Sequence, residues 1–245
     1  MGKLEGKVAL VTGSGRNIGR AIALALAEAG ATVVVNARQD RRAVDAVVGE
    51  IESRGGRAFA WLADVADYDA VTAMIKAADA LFGRIDCLIN NAALRREQAL
   101  EQMTSALWRE VMAVTLDGQF HCVLACLPYL KASGAGAIVN IGGLTAHTGA
   151  KGRAHVVTAK AGLIGFTRAL ASELADQNIT VNLVSPGMIG APPAARPHEP
   201  RISTLTGARG APEDIAGMVR FLCGPQARYI TGQTIHVNGG AYFGS

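Results

Sequence analysis

The sequence predicts an α/β fold with one doubly wound, seven-stranded parallel sheet and helices on both of its faces. Short runs rich in β-branched residues alternate with longer helical patterns along the 245-residue chain. The short runs are apolar throughout rather than alternately polar, which is typical of strands covered on both faces. Strict strand-then-helix order with right-handed crossovers produces this architecture.

The predicted elements follow one another in regular alternation. The strands are residues 8–12, 32–36, 57–62, 87–90, 137–141, 180–184 and 234–237. The helices are residues 18–29, 41–53, 68–82, 105–131, 159–175 and 212–223. Because no repeat and no second type of composition interrupts this order, residues 1–245 are predicted to form a single domain.

One break in composition lies at residues 190–210. It contains Pro192, Pro193, Pro197 and Pro200, which preclude a long regular helix. Ligand clefts of doubly wound sheets lie beyond the C-terminal ends of the strands. The segment is therefore predicted to be a lid over a substrate site, with a variable surface insertion as the alternative.

Composition and charge argue against several classes of function. The chain has 24 Lys plus Arg against 20 Asp plus Glu, and these charges are scattered, so no nucleic-acid partner is predicted. No apolar run approaches the ~20 residues of a membrane span, and the N-terminal residues lack the apolar stretch of a secretion signal. The four cysteines form no CxxC pair. We therefore expect no metal site and a cytoplasmic location.

A glycine-rich turn follows the first predicted strand and leads into a helix. Such a turn lets the backbone approach a pyrophosphate, while the helix N-terminus offers free N–H groups and the positive end of its dipole. The flanking strand and helix make this signal stronger than a glycine motif alone. The residues predicted to bind the cofactor here are Gly13, Ser14, Arg16, Asn17, Ile18 and Gly19.

The ends of the next strands extend the predicted cofactor site. Asp64 and Val65 follow the third strand, and Asn91 follows the fourth. The second strand ends in Arg38 rather than in the acid that binds the ribose 2′-hydroxyl in NAD sites. Since Arg38 and Arg16 can hold a 2′-phosphate through charge-assisted hydrogen bonds, the predicted cofactor is NADP(H) rather than NAD(H).

These motifs resemble the short-chain dehydrogenase/reductase family, especially its 3-oxoacyl-[acyl-carrier-protein] reductase-like branch, over essentially the whole chain. Residues 12–19 are similar to TGxxxGxG, with Asn17 replacing the second glycine, and Asn tolerates a left-handed backbone. Residues 90–93 resemble NNAG, and residues 185–189, 211–216 and 229–240 resemble the family's later motifs. The resemblance implies a Rossmann fold, a small-molecule substrate, a homotetramer, and cofactor contacts from Pro186, Gly187, Ile189 and Lys160.

The resemblance also identifies missing catalytic groups. The family's Asn, Ser, Tyr and Lys align with Thr115, Gly143, Val156 and Lys160, so only the lysine remains. Ala191 also replaces a threonine that commonly anchors the carboxamide. In the family the tyrosine transfers the proton, and the loss of a positioned acid costs about 10²–10⁴ in rate. The usual ketone reduction is therefore expected to be absent or very slow.

Residues close in sequence to Gly143 and Val156 are considered for the roles of the missing catalytic side chains. Lys160 is the catalytic residue that remains, and the candidates to replace the lost groups are His147, whose imidazole can act as an acid or base near neutral pH, and Thr145 as a hydrogen-bond donor. The alternatives for the last two are a surface histidine and a turn residue. His155 points about 100° away from Val156 on the helix, as a packing or interface residue would.

The sequence is compatible with three functions. The first is an NADP(H)-binding oxidoreductase with an altered active site, which we favour because the nucleotide motifs persist although the acid is lost. The second is a non-redox lyase, isomerase or hydrolase on the same scaffold. The third is a catalytically silent subunit.

Overall fold

The computed structural model describes residues 4–190 and 204–244, and in them the predicted seven-stranded parallel sheet is confirmed. The strand order is β3-β2-β1-β4-β5-β6-β7. The strands are β1 (Val8–Val11), β2 (Thr32–Ala37), β3 (Arg57–Leu62), β4 (Cys87–Asn90), β5 (Ala137–Ile141), β6 (Thr180–Pro186) and β7 (Thr234–Val237). The chain winds outward from β1 to one edge and then from β4 to the other. The β1–β4 boundary is therefore the switch point at which such sheets bind ligands.

Helices cover both faces of this sheet, as predicted. They are α1 (Asn17–Glu28), α2 (Arg41–Ser53), α3 (Tyr68–Phe82), α4 (Ser105–Met112), α5 (Gly118–Ala132), α6 (Thr145–Thr148), α7 (Ala154–Glu173) and α8 (Pro212–Cys223). One buried apolar cluster joins the sheet to α1, α2 and α8, and a second joins it to α3, α5 and α7. The uniformly apolar strands are explained by these two cores.

A buried chain of polar side chains fixes α7 to the middle of the sheet. Asn90 in β4 donates from Nδ2 to Oδ1 of Asn140 in β5 at 3.0 Å. Asn140 in turn donates from its own Nδ2 to Oγ1 of Thr167 in α7 at 2.9 Å. Asn90, Asn140 and Thr167 are all buried, where hydrogen bonds are stronger than in water, although Oδ1 of Asn90 has no hydrogen-bond partner among the described residues. These bonds fix the position of α7, the helix that carries Lys160, relative to β4 and β5.

Several predicted element boundaries differ from those in the structure. α7 begins at Ala154 rather than at residue 159, and β6 continues to Pro186. The helix predicted at residues 105–131 is interrupted by a π-helical turn, Ala113–Asp117. The first turn of α7 contains His155 and Val156, which are weak helix formers, and both are buried, so packing overrides their intrinsic preference. A π-turn inserts an extra residue and is frequent at functional sites.

The expectation that no stretch is long and apolar enough to span a membrane was also wrong. Residues Ser105–Ala132 meet that criterion by length and composition, with a mean hydropathy of 1.4 over the most apolar part. Within the described residues, however, α5 packs against α3, β4 and β5. Because core helices of soluble proteins meet the same criterion, this stretch is weak evidence for a membrane span.

Candidate functional site

The glycine turn between β1 and α1 is shaped to admit an anionic ligand. Asn17 has φ 50°, so the left-handed conformation expected for this residue is confirmed. A Cβ at Gly19 would lie 2.4 Å from the carbonyl oxygen of Gly13, so only glycine fits this close approach. Arg16 precedes α1 and makes no side-chain capping bond, which leaves the first N–H groups of the helix available. The turn fits a pyrophosphate.

Two predicted cofactor ligands use their polar groups to build this turn. Asn91 donates from Nδ2 to the carbonyl oxygens of Thr12 and Gly13, both at 2.9 Å. Ser14 is buried, donates from Oγ to the carbonyl of Val11 at 2.7 Å and donates its N–H to Asn36. These bonds give both residues a role in positioning the turn, and direct contact with a cofactor remains a prediction.

The ends of β2 and β3 place a cation where a ribose phosphate is expected. Nη1 of Arg38 lies 3.9 Å from Oδ2 of Asp64, and both side chains are at least one-third exposed. Such an exposed pair contributes little energy, so it does not prevent Arg38 from binding a phosphate. Arg16 is exposed as well. Val65 is buried, and its carbonyl accepts a hydrogen bond from Nδ1 of His121 at 3.0 Å.

The segment after β6 is fixed by close backbone contacts. Gly187 donates its N–H to the carbonyl of Val237 at 2.9 Å, and a Cβ at Gly187 would lie 2.6 Å from Cα of Asn238. The carbonyl of Pro186 accepts from the N–H of Leu144 at 2.9 Å. Ile189 forms a parallel bridge with Gly210, which joins the two ends of the predicted lid. Most of that lid, residues 191–203, and with it Ala191, lies outside the described residues.

Lys160 lies buried at the C-terminal end of β5. Its Nζ donates a hydrogen bond to the carbonyl oxygen of Ile141 at 2.5 Å. Burial, with a smaller contribution from the positive charge of Arg95, lowers the pKa of Lys160 to about 7. A lysine with this pKa exchanges its proton near neutral pH.

The other three positions of the catalytic motif offer no acid near Lys160. Val156 is buried and has only hydrocarbon in its side chain. A Cβ at Gly143 would meet no heavy atom of the described residues within 4 Å, so this position borders open space. Thr115 lies in the π-turn, where its buried Oγ1 accepts a hydrogen bond from the N–H of Leu94 at 3.1 Å. Lys160 is thus the acid–base group of the aligned four.

His147 lies in a cluster of rings at the C-terminal end of the sheet. Its ring stacks on Tyr242, with centroids 5.1 Å apart, and meets the edge of His236 at 4.6 Å. Burial lowers the pKa of His147, and the charges of His236 and Arg168 act in the same direction. The contact between His147 and Tyr242 therefore packs the C-terminal segment against α6 of the same chain. Its role as a replacement acid remains a prediction, as does that of Thr145, the first residue of α6.

His155 is a fully buried packing residue. Within the described part of the chain, neither of its ring nitrogens has a hydrogen-bond partner. Burial lowers the pKa of His155, and a weaker contact with the backbone of Arg153 acts in the opposite direction. Among the described residues no group of three His, Cys, Asp or Glu side chains is placed to hold a metal ion.

Arg95 was not anticipated from the sequence. It follows the NNAG-like motif in a stretch whose spacing carries no periodic signal, and only the folded chain brings its charge near Lys160. His236 was missed for a related reason. His236 lies in strand β7, and its partner His147 is about 90 residues away in the sequence. Its other partner, Tyr242, lies in the irregular C-terminal segment, so neither contact has a periodic signal in the sequence.

The fold and the glycine turn together define a dinucleotide-binding protein of the doubly wound class. A family model described as "Enoyl-(Acyl carrier protein) reductase" matches residues 13–242. The chain belongs to the short-chain dehydrogenase/reductase family, which confirms the resemblance recognised in its motifs.

Relatives in this family are similar over nearly their full length. The chain is 44% identical over 241 residues to a 3-oxoacyl-[acyl-carrier-protein] reductase of Staphylococcus aureus, covering 96% of this chain and 98% of the relative. A protein of the same name from Synechocystis is 44% identical over 243 residues, covering 98% of each chain.

Solved structures show the same likeness. A dehydrogenase/reductase from Sinorhizobium meliloti superposes with a TM-score of 0.93 and 38% identity, over 98% of this chain and 96% of that one. A short-chain dehydrogenase from Burkholderia cenocepacia, solved in complex with NADP, superposes with a TM-score of 0.91 and 35% identity, over 98% and 99% of the two chains.

Proposed function

We propose that this protein is an NADP(H)-dependent oxidoreductase that interconverts a small carbonyl compound and its alcohol, with Lys160 as the proton donor. The observation that carries the proposal is the buried Nζ of Lys160 at the end of β5, with a pKa of about 7. The ideal pKa of a general acid lies near the working pH. Lys160 meets that condition although Tyr and Ser are absent.

The choice of cofactor rests on the phosphate-binding end of the site. The Burkholderia cenocepacia relative was solved with NADP, and Arg38 and Arg16 are exposed cations beside the glycine turn. Gly13, Asn17, Ile18 and Gly19 would hold the pyrophosphate, and Pro186, Gly187 and Ile189 would lie along the nicotinamide. When bound, this cofactor supplies or accepts the hydride at the carbonyl carbon.

Lys160 supplies the matching proton. In the reducing direction, the ammonium form donates one proton to the carbonyl oxygen as the carbon is reduced, and the neutral amine then recovers a proton from water. With a pKa of about 7, about half of the molecules carry that proton at neutral pH. The missing tyrosine and serine leave the reaction slower than in relatives that keep them.

Lys160→Met tests this role directly. NADPH oxidation should be followed with a panel of small ketones and oxo acids, using Lys151→Met as the control because Lys151 is exposed before α7. We expect Lys160→Met to lose at least about 10² in kcat, the effect of losing a general acid. Retention of activity in this variant, or no NADPH oxidation by the wild type, would overturn the proposal.

We also propose that the protein is a cytoplasmic homotetramer. All four cysteines are described, and each is a free, buried thiol, which is consistent with a reducing compartment. Phe120 and Leu124 are exposed on α5, and Phe120 lines a surface cavity of about 540 Å³ together with Leu116 and Phe166. Sedimentation velocity should show a tetramer, and Phe120→Asp should shift it to smaller species.

A further inference from the structure

The C-terminal segment, residues 238–244, folds back on itself beyond the end of β7. Asn238 holds this turn with both polar atoms of its side chain. Its Oδ1 accepts from the N–H of Gly240 at 3.0 Å, and its Nδ2 donates to the carbonyl of Tyr242 at 2.9 Å. The N–H of Ala241 adds a bond to the carbonyl of Asn238 at 3.2 Å. These bonds fix the backbone that carries the ring of Tyr242.

The start of this segment packs directly on the residues after β6. The N–H of Gly187 donates to the carbonyl of Val237 at 2.9 Å, and a Cβ at Gly187 would lie 2.6 Å from Cα of Asn238. The N–H of Thr206 donates to the carbonyl of Gly239 at 3.2 Å. Gly187 is one of the residues that would lie along the nicotinamide in the function proposed above. The C-terminal segment is therefore in backbone contact with that end of the cofactor site.

The other end of the segment packs on α6, in the loop after β5. The ring of Tyr242 stacks on His147, with 5.1 Å between centroids and 25° between planes, and it meets the edge of His236 at 5.0 Å. With only four residues, α6 is too short to be stable by itself. The loop has Gly143 before α6 and Gly149, at φ 72°, after it, and glycine restrains the backbone least. The position of α6 therefore depends on its side-chain contacts, among them the stack on Tyr242.

Two links join the loop after β5 to the segment after β6. The first is direct, because the N–H of Leu144 donates to the carbonyl of Pro186 at 2.9 Å. The second runs through the C-terminal segment, which contacts Gly187 on one side and His147 on the other. Gly143 immediately precedes Leu144 and aligns with the serine of the catalytic motif. Both links thus act on the backbone that borders the substrate side of the cleft.

We propose that Tyr242 is a positioning residue whose ring holds α6, and with it the backbone at Gly143, in the place that a bound carbonyl substrate requires. This proposal rests on the carbonyl chemistry proposed above. Because Gly143 has no side chain, the backbone of the loop itself forms this border of the site. A displacement of about 1 Å can cost 10²-fold in rate, so the position of this loop affects the reaction. Stacking needs the ring of Tyr242 and not its hydroxyl group.

Hydrogen exchange of the backbone amides tests the position of α6 without any substrate. The proteins are the wild type, Tyr242→Ala, Tyr242→Phe and the matched control Phe243→Ala, which removes an exposed ring from the same segment. In Tyr242→Ala we expect at least about 10-fold faster exchange at residues 144–149, and unchanged exchange in β5. Tyr242→Phe and Phe243→Ala should exchange like the wild type. If Tyr242→Ala does not fold, Tyr242→Leu takes its place, because leucine keeps apolar volume without a flat ring.

Steady-state kinetics test whether this position matters to the reaction. NADPH oxidation is followed with the ketone that the wild type reduces fastest in the panel used for Lys160→Met. We expect Tyr242→Ala to lower kcat/KM for that ketone at least about 10-fold, because the loop no longer presents a fixed border to the substrate. Its affinity for NADPH should stay close to that of the wild type, since the phosphates bind at the glycine turn. Tyr242→Phe should restore kcat/KM, and Phe243→Ala should keep it.

The outcomes separate this proposal from the proposed function. Wild-type exchange at residues 144–149 in Tyr242→Ala, an unchanged kcat/KM in that variant, or equal losses in Tyr242→Phe would overturn the role of the ring. Lower stability of Tyr242→Ala with unchanged kcat/KM would reduce the stack to packing alone and would overturn it too. No NADPH oxidation by the wild type would instead contradict the proposed function, and the exchange rates would still decide whether Tyr242 holds α6.

Discussion

Nζ of Lys160 donates a hydrogen bond to the carbonyl oxygen of Ile141, the last residue of β5, at 2.5 Å. The acceptor is uncharged, so this bond does not offset the cost of burying an ammonium group. Burial accordingly lowers the pKa of Lys160 from 10.5 to about 7. The residue that remains from the family's catalytic motif is thereby poised to gain and lose a proton near neutral pH.

Lys160→Met should change how stability depends on pH. Between pH about 7 and 10.5 the unfolded chain carries a proton on this lysine that the folded chain has lost, so the wild type becomes more stable as pH rises through this window. The variant should therefore be more stable than the wild type at pH 7, by up to about 5 kcal/mol at ~1.4 kcal/mol per pKa unit. Its advantage should shrink towards pH 10.5. Urea unfolding across this range tests the prediction, and a difference that does not vary with pH would contradict it.

Restoring the two missing side chains should raise activity. In Gly143→Ser/Val156→Tyr, the serine enters open space and the tyrosine stands one helical turn before Lys160. We expect the double variant to reduce small ketones about 10²–10⁴-fold faster with NADPH, the contribution of a positioned acid. Gly143→Ser alone serves as the control and should gain much less. Unchanged kcat in a folded double variant would show that the loss of these groups does not limit the rate.

Gly19→Ala should abolish dinucleotide binding. The added Cβ would meet the carbonyl oxygen of Gly13 at 2.4 Å, which forces the turn to shift. Gly49→Ala is the matched control, because its Cβ meets no described atom within 4 Å and Gly49 lies inside α2. That control should keep binding and gain up to about 1 kcal/mol of stability. Fluorescence titration with NADPH measures both variants, and equal affinity in the two would count against the turn as the binding site.

Arg38→Ala should lower affinity for NADPH while leaving NADH binding nearly unchanged. Removal of a charge-assisted contact to a 2′-phosphate costs about 1.5–3 kcal/mol, or roughly 10- to 150-fold in Kd. Arg41→Ala is the control, since Arg41 is an exposed residue that pairs with Asp45 along α2. Calorimetry with both nucleotides gives the four dissociation constants, and parallel losses for NADPH and NADH would refute the assignment.

His155→Leu should stabilise the protein. Neither buried ring nitrogen of His155 makes a hydrogen bond of normal geometry to a described residue, and an unsatisfied buried polar group costs about 1–3 kcal/mol. The matched variant His121→Leu should destabilise instead, because Nδ1 of His121 donates to the carbonyl of Val65. Denaturant unfolding of the two variants at the same pH is the measurement. Destabilisation by both substitutions would show that His155 has a partner in the native assembly.

The sequence was sufficient for the fold because its strands are apolar on both faces and its turns carry specific glycines. It was less informative about boundaries that depend on packing. The first turn of α7 is helical although His155 and Val156 favour other conformations, since both are buried. The π-turn at Ala113–Asp117 has no periodic signature, yet it positions Thr115 against Leu94.

The candidate site also has features that the sequence predicts and features that only the folded structure shows. The glycine turn and the missing Ser and Tyr are visible in the order of residues. The internal bonds of Ser14 and Asn91, in contrast, depend on atoms brought together by folding. The same holds for Arg95, whose charge reaches Lys160 only because a loop after β4 is tied to Thr115 and to the start of α7.

The preference of the cofactor site for NADP(H) can be measured by calorimetric titration of the purified wild-type protein with NADPH and with NADH separately. We expect NADPH to bind at least about 10-fold more tightly than NADH, because only NADPH has the 2′-phosphate that Arg38 and Arg16 can hold. Tighter binding of NADH, or no binding of either nucleotide at millimolar concentration, would contradict it.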